Sequence, residues 1–151
     1  MKTSFYTFLF ILVSSACFGQ MNANSIVGTW LNHEKNAHIE IYEENGKYFG
    51  KISKVFTDKL DTSKMDGKGQ NLSEEEKKSK MTERSQKMIN TIILRDLKFS
   101  KNEWKDGTLL IPQKDESLKS SVKLVEDNNS LAIKVKKGWF SKTIYWTKVN
   151  Q

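Results

Sequence analysis

The sequence predicts an all-β domain, a single eight-stranded antiparallel barrel with one long loop carrying a short helix. Three observations carry that expectation. Apolar and polar residues alternate with period two along much of the chain after Ile26, most plainly in Ala37-His38-Ile39-Glu40-Ile41-Tyr42 and in Leu118-Lys119-Ser120-Ser121-Val122-Lys123-Leu124. Turn residues recur between these runs, led by Asn45-Gly46, whose two residues tolerate the positive φ that a tight hairpin needs. The runs number about eight, follow closely and are joined mostly by hairpins, so an up-and-down barrel is favoured, because closure removes exposed strand edges.

The chain has 151 residues. Residues 1–19 read as a signal peptide. Lys2 supplies the positive start, Phe5, Tyr6 and Phe8 through Val13 the apolar stretch, and Ser14, Ser15, Ala16, Cys17 and Gly19 the small residues before a cut after Gly19. The apolar stretch is too short for a membrane span. The alternatives are an N-terminal membrane anchor and a lipoprotein acylated at Cys17, although Ser14 stands where lipid modification favours a larger apolar side chain. Cleavage after Gly19 leaves 151 − 19 = 132 residues, enough for one core. Cys17 is the sole cysteine, so the mature chain has neither disulfides nor thiolate ligands. The expected location is periplasmic or secreted, and the expected domain spans residues 26–150.

Gly28-Thr29-Trp30 opens the first strand, with the indole placed to plug one end of the barrel. Ala37 to Tyr42 forms the second strand, and Tyr48 to about Phe56 the third, with Tyr48, Gly50, Ile52 and Phe56 on one face. Thr57 to Thr82 is polar and reads as a loop. Within it, Ser73-Glu74-Glu75-Glu76 fits a capping box, predicting a helix from about Glu74 to Met81. Strand signals resume at Met88 with Ile89, Thr91, Ile92, Ile93 and Leu94. Asp96 to Asn102 is read as a turn, with Leu97 and Phe99 able to continue a strand. Trp104 leads to an Asp106-Gly107 turn, and a short strand from Thr108 ends at Pro112, the sole proline. Leu118 to Leu124, Leu131 to Lys136 and Lys142 to Val149 complete the set, separated by turns at Asp127-Asn128-Asn129-Ser130 and Lys137-Gly138.

Several of these segments resemble one family. Val27-Gly28-Thr29-Trp30, Ile39-Glu40-Ile41-Tyr42 and Gly46-Lys47-Tyr48-Phe49-Gly50-Lys51-Ile52 look like the opening of the DUF2147 family of small exported bacterial proteins. Trp104, Gly107 and Pro112, then Leu131-Ala132-Ile133-Lys134-Val135 with Gly138, and finally Trp146-Thr147-Lys148-Val149, resemble its later strands. The match spans nearly all of Ile26 to Val149. Between Pro112 and Leu118 the chain departs from the family's Gly-Lys-x-Tyr. The resemblance implies a calycin-like, lipocalin-like barrel and no established activity, substrate or catalytic residue.

The formal net charge is +7, which favours anionic partners such as acidic lipid headgroups or polysaccharide. Its scattered lysines also fit a plain solvated face, and export argues against nucleic acid. His33 and His38, with Glu34 and Glu40 nearby, do not by spacing guarantee the convergence that a zinc site needs, so no metal or cofactor is expected. No Gly-x-Ser-x-Gly is present, and Asp58, Asp61 and Asp66 do not match a calcium loop. The chain is therefore expected to be a non-catalytic monomer. Aromatic residues on nearly every strand either fill the barrel or line a cavity. Tyr42, Tyr48, Phe56 and Trp139 are the cavity-wall candidates, for a small apolar or amphipathic ligand held at the open end. Gly28 and Trp30 are assigned to barrel closure, with Lys142 or Lys148 stacked over Trp30 as the closing cation. The rival expectation is an envelope protein with a solid barrel and a basic face for anionic polymer or lipid. A hydrolase using His33 or His38 is third.

Overall fold

Short turns with positive φ set the strand pairing. In the computed structural model, which describes residues 21–60, 72–125 and 128–150, β1 (Gly28–Leu31), β2 (Ala37–Glu44) and β3 (Lys47–Val55) follow a 3-10 turn at Ala23–Ile26. Asn45 and Gly46 take φ of 53° and 75°, joining β2 to β3 through a two-residue loop. The chain then runs through α1 (Glu74–Met88) to β4 (Ile92–Ser100), β5 (Glu103–Ile111), β6 (Glu116–Val125), β7 (Ser130–Lys137) and β8 (Phe140–Lys148). Each strand pairs antiparallel with the next, and β8 returns to β1 through Trp30↔Lys148 and Leu31↔Thr147. The result is the closed, eight-stranded barrel that the alternation predicts.

The inward positions hold the core: Trp30, Ile39, Ile41, Leu94, Leu97, Trp104, Val122, Leu131, Ile133 and Trp146 are all at most 2% exposed. The turns after β2, β4 and β6 lie at the same end as the N-terminal 3-10 turn. That end is plugged. Ile26 is fully buried, the Trp30 indole Nε1 donates to the Ile26 carbonyl at 2.8 Å, and the Trp104 Nε1 donates to the Ala23 carbonyl at 3.0 Å. The opposite end carries the 32–36 loop, the long connection with α1, the turn after β5 and the β7–β8 turn.

Three local expectations need correction. The helix extends two turns beyond Met81, to Met88. Its start is the expected capping box, with Ser73 Oγ accepting from Glu76 N at 3.2 Å and Ser73 N donating to Glu76 Oε2 at 2.9 Å. It continues because residues 74–88 hold no Pro or Gly and because Met81, Ser85 and Met88 recur at i, i+4 and i+7, giving one covered face. Asp106-Gly107 is a bulge inside β5, not a turn. Asp106 takes φ of 61°, and the register with β6 shifts between Trp104 and Gly107. The β4–β5 turn is made by Lys101 and Asn102 instead, with φ of 51° and 61°. The signal-peptide segment and Asp61, Asp66 and Asp127 lie outside the described residues.

Candidate ligand-binding mouth

Directly opposed residues in a sheet project to the same face, so the registers can be read around the barrel wall. Gly107 pairs with Ser120, Ser120 with Val135, and Val135 with Lys142. This row runs along the inner face from a buried end to an open one. Gly107 and Ser120 are buried, Val135 is half-buried and Lys142 is exposed. The alternation adds Leu118 on β6 and Ile144 on β8 to the same face, both half-buried. The plugged half of the barrel therefore presents covered side chains inward. Toward the other end Ala37, Ile52, Leu94 and Leu109 stay buried, and Leu118, Val135 and Ile144, on β6 to β8, are partly accessible.

Ser120 is 6% exposed, and its Oγ has no hydrogen-bond partner among the described residues. Its neighbour Gly107 cannot fill the space toward β4. A Cβ there would lie 2.6 Å from Leu97 Cδ2 and 2.7 Å from the Arg95 carbonyl oxygen, so only glycine lets the two bulged strands approach. At the rim, Lys137 pairs with Glu116 at 2.5 Å, and no ion pair holds Lys142 among the described residues.

The four aromatic residues expected to share a cavity do not come together. Tyr48 does point inward, but at the plugged end, where its hydroxyl donates to Asn24 Oδ1 at 2.8 Å and its ring meets Trp104 edge-on. Burial, followed by the nearby Glu43 charge, raises its pKa. Tyr42 alternates with the buried Ile39 and Ile41 and so lies outside, stacked on Phe49 at 5.8 Å under Lys51. Phe56 lies past the end of β3, on the outer shoulder. Its ring meets His38 at 4.9 Å and lies beneath the Lys54 and Lys59 ammonium groups. Trp139 is 98% exposed, because Gly138 and Trp139 are the two loop residues of the β7–β8 hairpin and the indole cannot fold back over so short a turn. The inner-face residues Leu118, Ser120, Val135 and Ile144 were missed as a site, although the alternation already placed Leu118 with Ser120, and Leu131 and Ile133 with Val135.

Of the two closing lysines, Lys148 sits over Trp30, with Nζ 5.6 Å from the ring centroid. Lys142 does not, since the Trp30↔Lys148 register leaves it six residues away along β8. Gly28 takes φ of 135° at the entry to β1. His33 is exposed in the 32–36 loop. His38 faces outward from β2, and its pKa is lowered by burial and then by the Lys54 charge. Among the described residues, no three His, Cys, Asp or Glu side chains gather as metal ligands.

The outer face of β5, β6 and β7 carries a second feature. A groove of about 590 Å³ is lined by Lys105, Lys119, Lys134 and Lys136 together with Ser121 and the acids Glu103 and Asp106. Burial pushes the Glu103 carboxyl up. The Lys105 hydrogen bond, the Lys123 charge and the Ser121 hydroxyl outweigh it and hold the pKa below the usual value.

No curated protein matches the sequence. Among solved structures, a Helicobacter pylori protein described as belonging to the lipocalin family aligns at 19% identity and a TM-score of 0.47, covering 76% of this chain and 73% of its own. A family model for an uncharacterized protein conserved in bacteria, DUF2147, matches residues 28–148, from the first residue of β1 to the last of β8, and the chain belongs to that family.

Proposed function

We propose that this is an exported, non-catalytic binding protein that holds a small amphipathic ligand in the open half of its barrel. The observation that carries the reading is the inner row Gly107–Ser120–Val135–Lys142 and its graded exposure. An apolar tail would lie against Leu118, Val135 and Ile144. An anionic head would face the Lys142 ammonium, which no other charge neutralises among the described residues. A buried hydroxyl without a partner costs about 1–3 kcal/mol, so an oxygen-bearing ligand or a water that meets Ser120 is favoured there. An apolar wall with a few placed polar groups is the usual lining of a small-molecule site. Export rests on the composition of residues 1–19.

Titration with the fluorescent fatty acid cis-parinaric acid tests the site. Saturable one-to-one binding is expected. Val135→Trp, which fills the mouth, should weaken it about ten-fold or more, in line with losing the burial of one large apolar group. Lys142→Glu should weaken the acid without weakening the corresponding alcohol. Absence of saturation, or indifference to Val135→Trp, would overturn the reading. Intact mass of the protein from expressing cells tests export. A chain beginning at Gln20 is expected, the full-length mass argues against it, and an acylated Cys17 would make the protein a lipoprotein.

A further inference from the structure

The β7–β8 hairpin ends in aromatic side chains that the barrel does not use. Trp139 is 98% and Phe140 58% exposed, and their rings meet edge-on with centroids 6.5 Å apart. Residues 130–148 contain five lysines and no Asp or Glu. Lys137 is paired with Glu116, and Lys148 lies over Trp30, whereas Lys134, Lys136 and Lys142 have no ion pair among the described residues. Lys119 lies beside Lys136 in the β6–β7 register, and the basic groove of the outer face runs down from the hairpin. Acids beside this face are Asp115 and Glu116 at the β5–β6 turn, the second neutralised by Lys137, and Asp106 and Glu103 along the groove, the second paired with Lys105 and Lys123.

We propose that this hairpin docks the open mouth of the barrel on an anionic phospholipid surface. Trp139 and Phe140 enter the headgroup layer, where an amphipathic ring gains burial and keeps its N–H wet. Lys134, Lys136 and Lys119 meet lipid phosphates, each worth about five-fold in partitioning. A two-residue tip is convex. A fluid headgroup layer closes around such a tip, whereas a soluble anionic polymer would leave both rings in water. Several basic residues combined with a few inserted apolar side chains is the usual arrangement for reversible peripheral binding. The inference stands whether or not the barrel is loaded, since Trp139 at the tip and Lys119, Lys134 and Lys136 on the outer face carry it; only Phe140, at the rim, shares the inner face with Lys142.

Tryptophan fluorescence of the full chain reads the docking directly. Trp30, Trp104 and Trp146 are buried and residues 1–20 contain no tryptophan, so a spectral change on vesicle addition reports Trp139. With phosphatidylcholine–phosphatidylglycerol vesicles at low salt, a blue shift and quenching by brominated lipid are expected, and both should fade with pure phosphatidylcholine or high salt. Trp139→Ala/Phe140→Ala should lower sedimentation with the anionic vesicles about ten-fold or more. Lys134→Glu/Lys136→Glu should abolish it. Both pairs are exposed, so thermal melting should hold steady, and parinaric acid binding should be retained in Lys134→Glu/Lys136→Glu and in Trp139→Ala alone, since Phe140 shares the inner face with Lys142. An unmoved Trp139 spectrum on anionic vesicles would overturn the proposal. So would a blue shift that grows with protein concentration in the absence of lipid, which would assign the tip to a second copy. Binding of a soluble polyanion with no response to the vesicles would assign the lysines to polymer.

Discussion

Trp30→Phe should loosen the plugged end of the barrel by an amount that can be worked out in advance. Trp30 is fully buried, its Nε1 donates to the Ile26 carbonyl at 2.8 Å, and Lys148 covers its ring. The smaller ring leaves about 40 Å³ empty, worth about 1 kcal/mol at the usual cavity cost. Removing the indole N–H leaves a buried carbonyl without its partner, at about 1–3 kcal/mol. Part of the cation–π contact survives on phenylalanine, and its loss adds about 0.5 kcal/mol at most. The total is about 2–4 kcal/mol. Urea unfolding followed by circular dichroism should show it as a midpoint lowered by about 1–2 M with an unchanged slope. Hydrogen exchange gives a local readout. The Val27 amide donates to the Asn24 carbonyl at 2.9 Å within the turn that Trp30 anchors, and its protection should fall before that of β6 and β7. A loss under about 1 kcal/mol, or full protection retained at Val27, would refute the view that the indole ties the N-terminal turn to the barrel.

Other positions test other links. Gly107→Ala should cost about 1–3 kcal/mol through forced displacement of Leu97 and the Arg95 backbone, read as a thermal midpoint lowered by about 4 °C per kcal/mol. Ser73→Ala should cost α1 about 1 kcal/mol by removing its cap, visible as faster amide exchange across residues 74–80 with little change in barrel melting. His38 should titrate below its ordinary value of 6.5, because burial and then the Lys54 charge disfavour its cation. The unfolded chain then binds the proton more readily, so this contribution to stability is present above pH 6.5 and is lost as pH falls from there through the folded value. An NMR titration should show Lys54→Met moving the His38 pKa upward, and no movement would remove the Lys54 part of the account.

The barrel was legible because its determinants are local. Period-two alternation assigned the faces of β2, β6 and β7, and Asn45-Gly46 fixed one register. Both follow from backbone geometry that a single segment carries by itself. The Asp106-Gly107 bulge was misread for the same reason. Asp-Gly between strand-like runs has the chemistry of a turn, and only the approach of Leu97 and Arg95 from β4 shows that the positive φ serves a bulge instead. The helix end was misplaced because Met88 and Ile89 carry strand-like character, while α1 is prolonged by the spacing of Met81, Ser85 and Met88. The aromatic site failed for a deeper reason. Aromatic content says that large apolar surface exists, but Tyr42, Phe56 and Trp139 face the outer wall, the shoulder and the tip according to turn length and register. Alternation had already placed Tyr42 opposite to Ile39 and Ile41, and a stricter reading of it would have excluded that residue from the interior.

The two ends of the barrel divide the work that a small disulfide-free domain must do. Stability is concentrated where the indoles of Trp30 and Trp104 bind the 3-10 turn and where Tyr48 ties Asn24, because each of these contacts buries a large ring and also satisfies a polar group. The open end keeps Val135, Ile144 and Leu118 partly wet and leaves Trp139 wholly so, forgoing burial that a purely structural barrel would take. Two consequences separate cleanly. If the mouth binds ligand, Val135→Trp should weaken parinaric acid binding about ten-fold or more while stabilising the barrel slightly, since it covers apolar wall that water now reaches. If the hairpin docks on lipid, Trp139→Ala should leave that binding and the melting temperature alone and weaken only sedimentation with anionic vesicles. A Trp139→Ala variant that lost both ligand and lipid would mean that the tip folds over the mouth. Its 98% exposure and two-residue turn argue against that arrangement.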